Sequence, residues 1–143
     1  MSVLLRILAV VALVQGIAHG TLFVRARPTH GESETAVVEA MRSNAFRFAA
    51  APRTYWDMYF GYGLEAAALC IVEAVLFWLL AGAAAREPVL IARVAVLFAV
   101  ANVAHLAMLA RYFAFPVPMA FDAFIAAGLV AVAWMGYSAT PMR

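Results

Sequence analysis

"MYFGYGLEAAALCIVEAVLFWLLAGAAA", residues 58–85, decides the fold, because it carries only two charges, Glu65 and Glu73, along its whole length. A helix that crosses a membrane needs about 20 mostly apolar residues. The stretch exceeds that, so with its polar approach it reads as a transmembrane helix over about 54–85. The same criterion finds helices at about 3–24, 88–113 and 118–139. "REP" at 86–88 and "PVP" at 116–118 separate the last three, since proline is disfavoured inside a helix.

The totals agree. The 143 residues are 67% apolar and 13% charged, against roughly 45–50% and about 25% in a soluble domain. A fold of this size cannot hide so much apolar surface from water, so lipid must cover the excess. One membrane domain over 1–143 is expected. The second and third connections are short, which makes neighbouring helices antiparallel and predicts an all-α, up-down bundle of four transmembrane helices. The first helix has an early arginine and ends "AHG", as a cleaved signal would. Its apolar run is too long for that, and it is read as retained.

All ten basic residues are arginine, well separated along the chain, so a net charge of +2 makes no basic patch and no nucleic-acid partner is expected. The single Cys70 excludes an internal disulfide and reads as a small buried hydrophobe. Six arginines (25, 27, 42, 47, 53, 111) fall on the side of the long 25–53 loop and four on the other, which slightly favours a cytoplasmic loop. A multi-pass protein of the bacterial inner (plasma) membrane follows.

The loop has structure of its own. "THGE" at 29–32 fits a capping box of Thr29 with Glu32. Val37, Met41, Ala45 and Phe48 then make an apolar stripe, predicting an amphipathic segment over 33–49 lying on the membrane surface or lidding the bundle. Further on, Thr54 and Asp57 fit a second capping box at the start of the second span. Tyr55, Trp56, Tyr59 and Tyr62 suit the lipid–water boundary.

Glu65 lies past that aromatic belt, where a charge costs at least ~2.5 kcal/mol. Counting about 1.5 Å per residue from the loop-side helix ends puts Glu65, His105, Asp122 and His19 all roughly 6–8 Å deep. Gln15 and Asn102 make a second step at about 12 Å. Gln15 shares a face with His19, and Asn102 with His105 and Tyr112. An inward-facing polar layer with one ionisable group per helix is therefore expected. Glu73, some 20 Å down by the same count, has no evident partner at its level.

Each residue also has a plainer explanation. His19 would serve as a boundary hydrogen-bonder, Asp122 would pair with Arg111, and His105 with Asn102 would join helices. Taken together, the layer suggests a site for a lipophilic, isoprenoid- or sterol-like molecule. Glu65 and His105 would exchange protons, Asp122 would orient, and His19 would hold a polar end. Gln15, Asn102, Trp56, Tyr59, Tyr62, Arg111 and Tyr112 would line the binding region. Three other readings stay open: a proton-coupled carrier acting as a homodimer, a metal site on His19, Glu65, His105 and Asp122, and an assembly protein without catalysis. The Glu-x-x-His spacing of di-iron bundles is missing, and no metal or cofactor is expected.

"AHGTLFVRARPTHGE" (18–32) and "RTYWDMYFGYGL" (53–64) resemble a family of small bacterial four-helix membrane proteins. The resemblance spans most of the chain and implies the fold without an activity. Helix number and intramembrane carboxylates are similar in architecture to sterol-isomerase-like membrane proteins, with no residues carried over.

Overall fold

The computed structural model describes residues 1–139; Arg143, which the orientation count includes, lies outside them. The elements in order are α1 (Ser2–Arg25), α2 (Glu32–Ser43), β1 (Ala45–Phe48), β2 (Ala51–Thr54), α3 (Tyr55–Ala83), α4 (Pro88–Tyr112) and α5 (Pro116–Ser138). α1, α3, α4 and α5 are each long and apolar enough to cross a membrane, which makes this a multi-pass membrane protein. The chain divides into two compact units, one of residues 1–15 with 70 onward, the other of residues 16–69.

The first unit holds a single core. Leu5, Leu8 and Ala12 of α1, Ala74, Phe77 and Ala81 of α3, Ile91, Ala95 and Ala99 of α4, and Ile125, Leu129 and Val132 of α5 are buried together. Much of that core is alanine. Lipid chains are as apolar as leucine, so helices in a membrane associate by close packing, which small residues permit. Many large apolar side chains point the other way: Leu97 and Trp134 are 69% and 75% exposed. In water such a surface would aggregate; in lipid it is solvated.

α4 and α5 pack closely. A Cβ on Gly136 would lie 2.5 Å from the Pro88 carbonyl oxygen and 2.8 Å from Ala92 Cβ, so only glycine allows the approach. Pro88 and Pro116 stand in the first turns of their helices, where the missing N–H is harmless. α4 ends where Ala114 takes a left-handed φ of 47° and its N–H returns to the Leu109 carbonyl at 2.8 Å.

In the second unit the end of α1 meets the start of α3. Gly20 faces Ala67, and the Phe23 ring packs over Gly63 and against His19 and Tyr59. The Thr54–Asp57 box forms as its spacing predicts. Thr54 N–H donates to Asp57 Oδ2 at 2.8 Å, and Asp57 N–H donates to Thr54 Oγ1 at 3.1 Å.

Two expectations for the loop are corrected. The Thr29–Glu32 box does not form: α2 begins after Gly31 with no side-chain cap, and Glu34 instead ties down the approach to the helix. The Glu34 carboxylate accepts the N–H groups of Thr29 and His30, both at 2.6 Å, and lies 3.1 Å from His30 Nδ1. Those two backbone donors hold the Glu34 carboxyl below its ordinary pKa. The helical stripe also stops early: Asn44 closes α2 on the Ala40 carbonyl, and Ala45 and Phe48 belong to β1, paired antiparallel with β2. Phe46 and Phe48, one residue apart on either side of Arg47, suit a strand better than a helix.

Candidate functional site

Each helix segment of the first unit turns one polar group or more onto its buried face. On α1, Gln15 continues the line of Leu8 and Ala12 at helical spacing, and it is itself buried. On α5, Asp122 begins the line of Ile125, Ala126 and Leu129 and is 2% exposed. On α4, Asn102 follows Ala95 and Ala99, with His105 one turn beyond it. On α3, the half-buried Glu73 stands beside Ala74 and four residues before Phe77.

Two contacts converge on Asp122. Gln15 Nε2 donates to Oδ1 at 2.9 Å. His105 Nδ1 lies 2.7 Å from Oδ2. That approach is a close polar contact rather than an aligned hydrogen bond, because Oδ2 has no aligned donor among the described residues, and it becomes an ion pair when His105 is protonated. The His105 side chain is 45% exposed where the Asp122 side chain is 2%. One ring nitrogen therefore faces a buried carboxylate, while Nε2 makes no hydrogen bond among the described residues.

The neighbouring contact is Asn102 Nδ2 to Glu73 Oε1 at 2.7 Å, with the same amide also donating to the Phe98 carbonyl at 3.0 Å. Glu73 is within electrostatic range of both Asp122 and His105, and Cys70 within range of both acids. Two contacts centred on carboxylates thus stand in the first unit, Gln15 and His105 on Asp122 and Asn102 on Glu73, with no arginine in either.

Gln15 and His105 meet at Asp122, while Asn102 meets Glu73, and three details of the expected layer change. Glu73 has a partner, Asn102. Gln15 is no separate step, since it bonds Asp122 directly. Asp122 takes His105 rather than Arg111, whose guanidinium lies 5.3 Å from the Tyr112 ring centre at an exposed position.

Glu65, His19, Trp56, Tyr59 and Tyr62 belong to the second unit. Glu65 is exposed and makes no hydrogen bond or ion pair among the described residues. His19 packs on Phe23 with ring centres 4.9 Å apart. Trp56 lies beneath Arg42 at 4.2 Å and beside Tyr59 at 5.6 Å, and Tyr62 is exposed. Among the described residues no three of His, Cys, Asp and Glu are grouped to hold a metal ion.

Depth counted from the start of α3 hid the role of Glu73. That helix has 29 residues, well beyond the ~20 a membrane requires, so its start is a poor origin for depth. The better signal was the face Glu73 shares with Ala74 and Phe77. Compared with protein-family models, curated proteins and solved structures, the chain matches none; the family resemblance therefore carries no argument, and the site speaks through its chemistry alone.

Proposed function

We propose that this protein is an inner-membrane, up-down four-helix protein that binds a lipophilic, isoprenoid- or sterol-like molecule at His105 and transfers protons on it. The observation that carries the reading is the half-exposed imidazole set 2.7 Å from a buried carboxylate. Asp122 orients the ring through Nδ1 and stabilises the imidazolium once Nε2 has taken a proton, while Gln15 holds Asp122 in place. Glu73 supplies a second carboxylate within reach, so that one acid can hold a proton as the other gives one up. Removal of a proton from one carbon and its return to another would shift a double bond. Glu65 and His19 have no part in this scheme.

The test is exchange in heavy water. Purified protein is incubated in D2O with its copurifying lipids, which are then extracted and analysed by mass spectrometry. Deuterium should enter one lipid species with the unaltered chain and not with His105→Ala. Equal labelling in both, or none in either, ends the proton-transfer reading.

A second reading has its own support. Gln15–Asp122 ties α1 to α5, and Glu73–Asn102 ties α3 to α4, as an assembly protein needing fixed helix register would require. It predicts that His105→Ala lowers thermal stability and leaves lipid content unchanged.

A further inference from the structure

We infer that the β1–β2 hairpin is a membrane-interface anchor whose tip enters the headgroup layer of a bilayer containing anionic phospholipid. This stands independently of the proton-transfer reading.

The tip is apolar where a hairpin in water is polar. Phe48 and Ala51 are cross-strand partners, and Ala49 and Ala50 form the two-residue turn between them. Phe48 is 54% exposed, and Ala49 and Ala50 are exposed as well. Two-residue turns ordinarily use Asn-Gly, Asp-Gly or glycine pairs, because the backbone needs positive φ. Here Ala49 takes φ 51°. The chain keeps an unfavourable backbone and an apolar side chain where a favourable, polar solution exists.

Charge indicates which surface the hairpin meets. Residues 44–54 contain Arg47 and Arg53, both exposed, and no acid. α2 carries Glu32, Glu34 and Glu39 against a single Arg42, which is occupied by the Trp56 ring. The acid closest in sequence to β2, Asp57, is held in the Thr54 capping box. An apolar tip between two arginines suits phospholipid, with the tip among the upper acyl carbons and the guanidinium groups on phosphate. α2, acidic on balance, suits water.

Continuity places the occupant within reach. Thr54 ends β2 and Tyr55 begins α3 with no residue between, and Phe46 of β1 packs on Tyr55 with ring centres 4.7 Å apart. The hairpin is therefore fixed to the aromatic first turn of a membrane-crossing helix.

The experiment uses the full chain in vesicles of either pure phosphatidylcholine or phosphatidylcholine with about a third phosphatidylglycerol. A nitroxide is placed at Ala50→Cys, and separately at Ser33→Cys on α2, in a Cys70→Ala background. Collisions with oxygen, which dissolves in lipid, are compared with those of a water-soluble nickel complex. In anionic vesicles the oxygen-to-nickel ratio should be at least fivefold higher at 50 than at 33. It should fall at least twofold in pure phosphatidylcholine or with Arg47→Gln and Arg53→Gln together. Equal ratios at 50 and 33 overturn the anchor, and a ratio blind to lipid charge overturns the arginine–phosphate part. If the Cys70→Ala background fails to fold, a benzophenone side chain at position 50 with Cys70 retained replaces the nitroxide. Light should then yield phospholipid adducts at 50 and none at 33, and their absence at 50 rejects the anchor.

Discussion

Asp122 and Glu65 are both acids within apolar helices, and the protein treats them in opposite ways. Asp122 is buried, bonded by Gln15 and faced by His105. Glu65 is exposed with no such partner among the described residues. The difference shows that a carboxylate in a membrane helix is not in itself a site. What distinguishes Asp122 is that three helices spend polar side chains on one another there, each of which would be costly left alone.

The strongest way to break the comparison is to remove each acid in turn. Asp122→Ala leaves the buried Gln15 amide without its acceptor and His105 without its facing carboxylate, and should destabilise the protein by about 3 kcal/mol. Glu65→Ala should change stability by less than about 0.5 kcal/mol. Reversible unfolding in mixed detergent–SDS micelles measures both. Equal losses would mean that Glu65 has a role the exposed position does not suggest.

The same contrast between packed and open positions applies to glycine. Gly136→Ala drives a methyl group into the Pro88 carbonyl and Ala92, and should cost about 2 kcal/mol by overpacking. Gly61 has open space where its Cβ would be. Gly61→Ala should be neutral or gain up to about 1 kcal/mol from helix propensity. The same unfolding assay ranks them, and an inverted order would refute the close α4–α5 crossing.

Within the cluster, Gln15→Leu should cost about 1 kcal/mol, in keeping with interhelical hydrogen bonds in membranes. In a double-mutant cycle with Asp122→Asn, the two changes should be non-additive by a comparable amount. Strict additivity would mean that the 2.9 Å contact contributes nothing.

Much of this was legible beforehand, for reasons that differ by region. Every end of the four long helices falls within two residues of its expected position. Prolines at 88 and 116 and polar residues at the other ends punctuate runs whose length a bilayer dictates. Gln15, Asn102, His105 and Asp122 could be named because polar side chains within apolar spans are few and costly, and the helical rise puts them near one end of the bundle. Their pairing could not, because it depends on how far each helix slides along its neighbours. That slide is set by contacts such as Gly136 on Pro88 and Leu8 on Gly128, which leave no local trace. The hairpin escaped notice for another reason. Four-residue strands are too short to establish alternation, and Ala49-Ala50 carries none of the usual turn chemistry.

The smallest expected effect lies in the second unit, and it separates wet polar groups from those in the membrane. Glu34 is held below its ordinary pKa by the backbone N–H groups of Thr29 and His30. A carboxyl depressed in the folded state stabilises α2 fully above its unfolded pKa of about 4.3 and loses that contribution as pH falls through the lower, folded value. Lowering the pH from 7 to 3 should therefore titrate the Glu34 side-chain carboxyl carbon resonance with a midpoint below about 4.3, as the two backbone hydrogen bonds are released. Glu34→Gln should abolish the step while the four long helices remain intact. A midpoint at or above the ordinary carboxyl range would show that the two short hydrogen bonds do not hold Glu34 in solution, and α2 would then rest on its contacts with β2 and Trp56 alone.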